Sequence, residues 1–510
     1  MADCIQAQVV IAGGGPVGMV LACELAGYGV STVVVEAAAA VSGRPRATTL
    51  HARTVQCLVR RGYLGGLSHG GDGAAQATSV FHFAGIAGLG ISAPAAEPEP
   101  VLKRTQQELE HHFEERARAA GALVLRGHRV TGLRQGPDGV RVTADGPDGA
   151  VTCTAQYLVG ADGARSIVRE QAGFACRTYP ATVSALAGDV VLEEPGQLEE
   201  GWRRTRRGWI VAKHLPGGGT RLRTLDCAGA HGERHLPPTL QELRGEVARI
   251  VARDVPMRAP RWLSRFSDFA RLARSYRKGR ILLAGDAAHV HFPIGGQGLS
   301  TGLLDAVDLG WKLALTVRGR AGDGLLDSYD RERRPAAQRV IDHTRAQLAL
   351  MRPAAELDPL RALFGELLGG QGAGALASMV SAQDTVLPAR AVDASPWEGR
   401  FLHNVGLSTR HGRTDVIDLL VPGRPLLLLL GTAGDTYAGQ ARGWAGMLRV
   451  VHAEPAPGLP CEALLVRPDG YIAWAAGGGA LRAALTAYFG LGRGAAGREA
   501  GAGVLAPAFG

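Results

Sequence analysis

Hydrophobic positions near the start of the chain predict a strand, a helix and a second strand in succession. Residues 9–12 (VVIA) are continuously apolar, which is typical of a buried strand. An apolar segment follows and ends at about Gly27, and residues 31–36 (STVVVE) form the next apolar run. This order predicts a βαβ unit with a parallel sheet at the beginning of the chain.

Later segments predict further parts of the same domain. Residues 101–121 have apolar positions at helical spacing on one face. Residues 129–156 alternate between apolar and polar positions and are broken by two Pro-Asp-Gly turns, which predicts a three-stranded β-meander. Short apolar runs at residues 157–160 and 281–284 predict two more buried strands.

The pattern changes twice more along the chain. Alternating strands and one helix are predicted between the meander and residue 280, and short strands are predicted again after residue 390. The sequence therefore predicts an α/β protein with three units. They are a discontinuous N-terminal domain (residues 1–180 and 280–390), a β-sheet domain (residues 181–279, with part of 75–100) and a C-terminal domain (residues 391–510).

Composition narrows the classes of function. The formal charge of +9 is carried by dispersed arginines without a basic run, so we expect no nucleic-acid partner. Seven cysteines occur without a CxxC pair, which predicts neither a disulfide framework nor a cysteine-rich metal site. The longest aliphatic run, Leu426 to Leu430, is too short to cross a bilayer. We expect a cytoplasmic protein with no metal and no membrane partner.

A glycine-rich loop follows the first predicted strand. GGGPVG places Gly13, Gly15 and Gly18 in GxGxxG spacing, which suits a tight turn, a close pyrophosphate and close helix–strand packing. Glu36 ends the second strand at the spacing of a carboxylate that accepts from a ribose hydroxyl. These features predict binding of an ADP moiety, from either NAD or FAD.

A second glycine-rich stretch, GDAAHVHFPIGGQGLSTG, occupies residues 285–302. Asp286 follows a predicted strand and has a carboxylate that accepts from sugar-alcohol hydroxyls. After Pro293, the amides near Gly298 and Leu299 lie where a helix is predicted to begin. A helix N-terminus stabilises negative charge, such as that on the N1–C2=O edge of a reduced flavin. This favours FAD.

These two motifs and LVGADGARSIVR (residues 158–169), in this order, resemble the flavin-dependent aromatic hydroxylases of the para-hydroxybenzoate hydroxylase class. The branch that acts on aromatic polyketides is the more similar one. The resemblance covers residues 5–60, 100–175 and 262–340, with a C-terminal segment. It implies a Rossmann-type (GR2-like) FAD-binding domain, a β-sheet substrate domain and a thioredoxin-like C-terminal domain that lacks CxxC.

The resemblance also implies a set of FAD-binding residues. They are Gly13, Gly15, Pro16, Val17, Gly18, Glu36, Ala37, Arg46, Gln106, Val130, Asp162, Asp286, Pro293, Gly298 and Leu299. In this assignment Glu36 holds the adenosine ribose and Asp286 the ribityl chain. Pro293 and the amides of Gly298 and Leu299 border the isoalloxazine ring. Asp162 serves both FAD and the nicotinamide donor.

Two departures from the family concern the helix that begins near Gly298. Ser300 stands where the family usually has Asn, although a serine can still cap a helix. Asp308 stands where Asn is frequent. Asp305, Asp308 and Lys312 also form a predicted polar stripe at i, i+3 and i+7 along this helix.

The resemblance implies a reaction as well as a fold. In this class NADPH or NADH reduces FAD as a transient donor, O2 adds at the flavin C4a position, and the hydroperoxide transfers one oxygen to an aromatic substrate. We therefore expect a monooxygenase acting on a polycyclic polyketide. Baeyer–Villiger oxidation of a ketone and inactivating hydroxylation of an antibiotic remain alternatives, whereas the intact motifs argue against a flavin-binding module without turnover.

Some candidate residues lie outside the cofactor motifs. Phe81, Phe83 and Trp209 are candidates for a pocket around a flat aromatic ligand, with core packing as the alternative for each. His291 is a catalytic candidate near the predicted ring, whereas His289 is expected to orient the loop by hydrogen bonding. The C-terminal domain is expected to serve packing or a homodimer contact.

Overall fold

Three large β-sheets organise the chain in a computed structural model. It describes residues 3–65, 67, 78–194, 196–232, 236–370, 372–390, 393–459 and 461–492. The N-terminal sheet and the central sheet border a common cavity, and the C-terminal sheet packs elsewhere on the N-terminal part of the chain.

The N-terminal sheet has six strands, and its buried centre is Val9–Ala12. In sheet order the strands are Arg277–Lys278, Ile281–Leu283, Tyr157–Gly160, Val9–Ala12, Thr32–Glu36 and Leu123–Arg126. All except the first run parallel to one another, so their carboxyl ends meet at one edge. This confirms the predicted βαβ unit and brings both glycine-rich loops to the same edge.

The predicted meander is confirmed, and it gains a fourth strand. Arg129–Gln135, Val140–Gly146 and Gly149–Ala155 pair in antiparallel order. Asp3–Gln6, which the sequence pattern did not reveal, adds to Gly149–Ala155 in parallel. The chain therefore enters the meander before it enters the N-terminal sheet.

The central sheet is a five-stranded antiparallel sheet with one helix on its back. In sheet order its strands are Gly201–Thr205, Gly208–His214, Thr220–Asp226, Ser184–Leu192 and Met257–Ser267. Helix Leu240–Val251 covers one face through an apolar cluster, and the opposite face borders the cavity. The predicted strands and helix of this region are confirmed.

Smaller sheets join the larger ones. Ala270–Ala273 pairs with Cys176–Tyr179 and His289–Val290 and not with the central sheet, although the predicted β-sheet domain extended to residue 279. The remaining pairs are Thr49–His51 with Val101–Lys103, and the hairpin of Thr78–Phe83 with Ile86–Ser92. Of the predicted 75–100 segment, residues 75–77 lie outside the described residues.

The C-terminal sheet has six strands. In sheet order they are Gly412–Asp415, Gly406–Thr409, Arg449–Ala453, Leu426–Leu430, Ala463–Val466 and Ile472–Ala475. Trp311 and Leu315 pack with residues of this unit in one apolar cluster, so the C-terminal unit is seated on the helix that carries them. Cys461 lies beside the sheet as a free thiol.

Helices connect and cover these sheets. They are Pro16–Gly27, Ala52–Arg60, Gln106–Ala119, Ile167–Gln171, Leu240–Val251, Gly298–Val317, Ser328–Met351, Asp358–Gly369, Ala373–Val380, Val416–Leu420, Gly434–Ala441 and Leu481–Phe489. Within the described ranges, none has the length and apolar character needed to span a bilayer.

The predicted polar stripe of helix Gly298–Val317 is present, but it is buried. Lys312 donates to Asp308 at 2.8 Å and to Glu332 at 2.7 Å. Arg467, from the C-terminal hairpin, contacts Asp308 and Glu332 at 2.8 Å each, and Asp469 at 2.5 Å. Three carboxylates share two cations here, and burial raises the pKa of Asp308 to about 8. We call these five residues the buried ion cluster.

Candidate active site: a cavity between the N-terminal and central sheets

A cavity of about 1190 Å³ lies between the carboxyl edge of the N-terminal sheet and one face of the central sheet. Its volume exceeds the roughly 300–1,000 Å³ of a typical single-ligand site, so a cofactor and a substrate fit together. All predicted FAD-binding residues except Gly18 line it, as do His291, Phe81 and Trp209. The two glycine-rich motifs, which are far apart in the sequence, and residues from the middle of the chain therefore line the same cavity.

The first glycine loop has the backbone of a phosphate-binding turn. Gly13 has φ +106°, and a Cβ there would overlap the carbonyl of Ala161. A Cβ on Gly18 would overlap the carbonyl oxygen of Gly13, so Gly18 packs behind the loop and does not line the cavity. Gly15, by contrast, has open space where its Cβ would be. The loop leaves room for a ligand only on its cavity side.

Helix Pro16–Gly27 begins at this loop, and no side chain of the described chain caps it. Its first amides and dipole therefore face the cavity, as anion binding requires. Glu36 lies beside the loop, where its carboxylate accepts from the amides of Gly14 at 2.6 Å and Ala38 at 2.7 Å. These bonds fix the carboxylate at the rim of the cavity.

Side chains from three other segments complete this end. The side chain of Gln106 donates from Nε2 to Glu110 at 2.7 Å, and its backbone N–H donates to the carbonyl of Ala47 at 2.9 Å. That backbone bond joins the start of helix Gln106–Ala119 to the loop that carries Arg46, whose side chain is exposed. Val130 contributes an apolar surface and is 8% exposed.

Asp162 lines the cavity, and one of its carboxylate oxygens is buried without a partner among the described residues. Its Oδ2 accepts from the amide of Val168 at 3.1 Å, whereas Oδ1 has no partner within the described residues. Burial raises the pKa of Asp162, and hydrogen bonds from Ser166 and Val168 oppose that rise.

Asp286 reaches the cavity from the second glycine loop. Burial raises its pKa, while His289 and Arg46 act in the opposite direction. The loop behind it is held by Asp305, whose Oδ2 accepts from the amide of Gly285 at 3.0 Å and pairs with Nε2 of His289 at 2.8 Å. His289 is 1% exposed and orients the loop, in agreement with the expectation from the sequence.

The loop then turns sharply before helix Gly298–Val317. Gly295 and Gly296 have φ of +75° and +65°, and Nε2 of His51 bonds to the carbonyl of Gly295 at 2.7 Å. The predicted cap at Ser300 is wrong: Ser300 lies inside the first turn, and its Oγ accepts from the amide of His51 at 3.1 Å. The helix therefore starts without a described side-chain cap, so its amides are free.

His51 was not among the predicted site residues. It is buried, and burial lowers its pKa to about 4. The sequence signal was weak because its two partners lie more than 240 positions away in the chain. The role of His51 in holding the second glycine loop becomes visible only in the structure, where strand Thr49–His51 lies beside that loop.

His291 lines the cavity beside the start of this helix. Its Nδ1 bonds to the carbonyl of Phe292 at 2.9 Å, which makes Nδ1 the protonated nitrogen. Nε2 has no partner in the described part of the chain and is left as an acceptor. Burial lowers the pKa of His291 to about 4, so the ring is neutral near pH 7.

Aromatic side chains define the opposite end of the cavity. Phe81 stacks on His82 with 5.0 Å between centroids, and Lys103 lies 5.2 Å above the Phe81 ring. Trp209 is 3% exposed and donates from Nε1 to the carbonyl of Met351 at 2.7 Å. Both line the cavity, as do Trp202, Trp262 and Phe266, which the sequence did not single out.

Phe83 does not line the cavity and is a correction to the prediction. It is 4% exposed and stacks on Phe364 with 5.6 Å between ring centroids. Simple alternation would place Phe83 on the same face as Phe81. Phe81 packs against the same apolar cluster as Phe83, in agreement with alternation, but only Phe81 also lines the cavity.

Comparison with known proteins agrees with this geometry. The chain matches the FAD binding domain family over residues 6–344 and the aromatic-ring hydroxylase C-terminal family over residues 395–491. It is similar to a dialkyldecalin synthase of Streptomyces rugosporus, with 40% identity over 94% of this chain and 98% of that protein.

Two further relatives are monooxygenases by name. A 12-dehydrotetracycline 5-monooxygenase/anhydrotetracycline 6-monooxygenase of Streptomyces rimosus is 37% identical over 95% of this chain and 99% of its own length. The solved structure of the anhydrotetracycline hydroxylase OxyS from Streptomyces rimosus has a TM-score of 0.86 and 36% identity, covering 96% of this chain and 100% of OxyS. The predicted GR2-like fold with a thioredoxin-like C-terminus is confirmed. The chain belongs to the FAD-binding aromatic-ring hydroxylase family and is a flavin-dependent monooxygenase.

Proposed function

We propose that this enzyme inserts one atom of O2 into a polycyclic aromatic substrate of the polyketide type, with NADPH or NADH as a transient electron donor. The observation that carries the proposal is the single cavity, which joins the glycine-loop edge to an aromatic-lined face of the central sheet. The tetracycline-pathway names of two relatives support the substrate class.

The residues present fit FAD. The open side of Gly15 and the uncapped helix behind it suit the diphosphate, and the carboxylate of Glu36 suits the adenosine ribose. The carboxylate of Asp286, which lines the cavity, suits the ribityl hydroxyls. The free amides of Gly298 and Leu299 would stabilise negative charge at the edge of the ring.

Bound FAD supplies the oxygen-transfer chemistry, and the protein supplies binding, orientation and exclusion of water. His291 offers a neutral acceptor at Nε2 near the ring end, which suits the positioning of a donor and not the delivery of a proton. Asp162 offers a second free acceptor, at the edge of the N-terminal sheet. Aromatic residues such as Phe81 and Trp209 would orient a flat substrate and keep water from the reacting atoms.

The three predicted units then have separate roles in this proposal. Residues 1–180 and 280–390 bind FAD, residues 181–279 supply the substrate face, and residues 391–510 support helix Gly298–Val317. A cytoplasmic location and a homodimer stay predictions.

A second candidate follows from the relative named dialkyldecalin synthase. That name describes formation of a carbocycle, so the same cavity could serve ring closure of a bound polyene. Baeyer–Villiger oxidation of a ketone is a third outcome within flavin chemistry. The three differ in whether oxygen enters the product and where it enters.

One experiment separates these outcomes. The FAD-loaded enzyme is mixed with NADPH or NADH, ¹⁸O₂ and a panel of polycyclic polyketides that includes anhydrotetracycline. A hydroxylated product that carries one labelled oxygen, with substrate-dependent oxidation of the nicotinamide, supports the proposal. A labelled lactone would redirect it to Baeyer–Villiger chemistry. Unlabelled, isomerised product formed without nicotinamide would redirect it to cyclisation.

A further inference from the structure

One row of side chains crosses the face of the central sheet that borders the cavity. Val211, Arg223, Ala187 and Ser264 are successive cross-strand partners, and all four line the cavity. Among the described cavity-lining residues of this sheet, Arg223 is the only charged one. The row therefore presents one guanidinium to the cavity, and the other side chains of this sheet that line the cavity are small, apolar or aromatic.

The neighbouring arginine on the same strand is different. Arg221 donates from Nε and Nη2 to the carboxylate of Asp189 at 2.7 and 2.8 Å, so its charge is balanced within the sheet. The Arg223 guanidinium forms no hydrogen bond or ion pair with a described residue. The Arg223 side chain is solvent-exposed on the open cavity face. Partial desolvation lowers its pKa, and the nearby Arg221 lowers it further, against a weaker opposing effect of Asp189. The folded chain thus leaves this cation without a balancing anion.

Acidic residues are segregated at the other end of the cavity. The described carboxylates that line it are Glu36, Glu110, Asp162, Glu170 and Asp286. All lie at the end of the cavity next to the N-terminal sheet, which is also lined by Arg46, Arg126, Arg129 and Arg165. The substrate end has a second cation instead, Lys103, whose Nζ donates to the hydroxyl of Thr49 at 2.9 Å. A cavity with unbalanced cations at one end selects a ligand that brings negative charge there.

We propose that Arg223 is a specificity-determining residue that binds an anionic oxygen of the substrate, such as an ionised phenol or the enolate of a 1,3-dicarbonyl. The inference rests on the proposed function, since it takes the aromatic substrate to lie against the central sheet. A guanidinium offers two parallel N–H groups to such an oxygen pair, and the bond is charge-assisted. Lys103 adds a second positive charge from the side of Phe81.

The test is a binding titration that needs no turnover. Alizarin, a dihydroxyanthraquinone whose absorption moves to longer wavelength on ionisation, is titrated into FAD-loaded wild type, Arg223→Met, Arg223→Lys and the control Arg206→Met. Its 2-O-methyl ether, which has the same ring system without the more acidic hydroxyl, is titrated in parallel. Arg206 is exposed and does not line the cavity, so it controls for a change in net charge.

We expect wild type to bind alizarin in its ionised form, below the pH at which the free dye ionises. Arg223→Met should weaken alizarin binding by roughly 10- to 100-fold, the range of a lost charge-assisted hydrogen bond, and remove the spectral shift. Binding of the ether should be unchanged. Arg223→Lys should retain part of the shift, and Arg206→Met all of it. FAD content and thermal unfolding report whether each variant folds.

Two results would overturn the proposal. One is an equal loss of alizarin and ether binding in Arg223→Met with normal FAD content, which would assign Arg223 a shape-filling role. The other is wild-type enzyme that binds alizarin no more tightly than the ether. Both are independent of oxygen incorporation, so monooxygenation of a neutral substrate would stand even if this inference failed, and the reverse also holds.

Discussion

The two ends of the cavity are built from different parts of the polypeptide. At the N-terminal edge the backbone makes the site: Gly13 turns the chain, Gly15 leaves space, and two helices begin with free amides. At the central sheet, side chains such as Trp209 and Arg223 make the site on a regular antiparallel framework. The first end suits a ligand of constant shape, and the second suits a ligand that differs among relatives.

The difference in construction predicts where substitutions are tolerated. A binding site formed by the backbone loses its ligand when a side chain is added there. A binding site formed by side chains changes its ligand preference when one of them is replaced, while the sheet that carries them stays folded.

Phe81 and Phe83, on the same strand of the hairpin, test which side chains line the substrate end of the cavity and which lie in the core. Phe83→Ala should reduce the free energy of unfolding by about 3–5 kcal/mol, because a large ring leaves the core beside Phe364. Phe81→Ala should cost less stability but raise KM for an aromatic substrate, since its ring lines the cavity. Denaturant unfolding and steady-state kinetics measure the two effects. The reversed pattern would contradict the placement of Phe83 in the core and of Phe81 at the cavity.

The carboxyl group behind the central sheet gives a pH test. Glu246 is buried, and burial raises its pKa to about 7, while its hydrogen bond with Thr224 opposes that rise. Because the folded pKa exceeds the unfolded value, wild type loses stability as pH rises from about 4.5 to 7 and changes little above. Glu246→Gln should remove this loss and be more stable than wild type at pH 8 by up to about 3 kcal/mol.

Stability of both proteins is measured by urea unfolding at pH 5 and pH 8. The control is the exposed Glu199→Gln, which should follow the wild-type profile. A Glu246→Gln variant that declines with pH as steeply as wild type would show that Glu246 ionises normally.

A single methyl group tests the backbone site. Gly15→Ala should fold normally, because nothing lies within 4 Å of the added Cβ. The methyl would occupy the space open to the diphosphate, so FAD affinity should fall by roughly 10- to 100-fold, in line with about 1–3 kcal/mol of overpacking. Gly27→Ala is the matched control, since its Cβ is equally free but lies at the far end of the same helix. Flavin fluorescence measures the affinity, and equal FAD binding by both variants would contradict the assignment.

The smallest effect is expected at His291. Its pKa of about 4 keeps it neutral between pH 6 and 8, so His291→Gln should leave the shape of the kcat–pH profile unchanged. Loss of one acceptor at Nε2 should lower kcat by less than about tenfold. A profile inflection near neutral pH that disappears in the variant would instead make His291 a proton carrier.

The same contrast explains which parts of the site the sequence could predict. Glycine spacing is local, so the sequence could single out both glycine-rich loops, and the residues predicted there to bind FAD line the cavity except Gly18, which packs behind its loop. The substrate face depends on register between distant strands. Nothing near Arg223 in the sequence indicates that Val211 and Ala187 are its neighbours.

Other misses have equally specific causes. Phe83 follows the alternation of its strand, but nothing near it in the sequence shows that Phe364 covers it. The polar stripe at Asp305, Asp308 and Lys312 was correct in spacing, but its partners come from residues far along the chain, including Arg467. His51 was missed because both of its contacts are distant in sequence.

The buried ion cluster has a consequence for recombining this enzyme with its relatives. A chimaera that exchanges the C-terminal unit also exchanges Arg467 and Asp469, while Asp308, Lys312 and Glu332 stay behind. A foreign hairpin without an arginine at that point would remove the buried Arg467 contacts to Asp308 and Glu332, and breaking a buried ion pair costs about 3–5 kcal/mol. The strain would fall on the helix that begins at the second glycine loop. A productive crossover must therefore inherit the hairpin and helix Gly298–Val317 from the same parent.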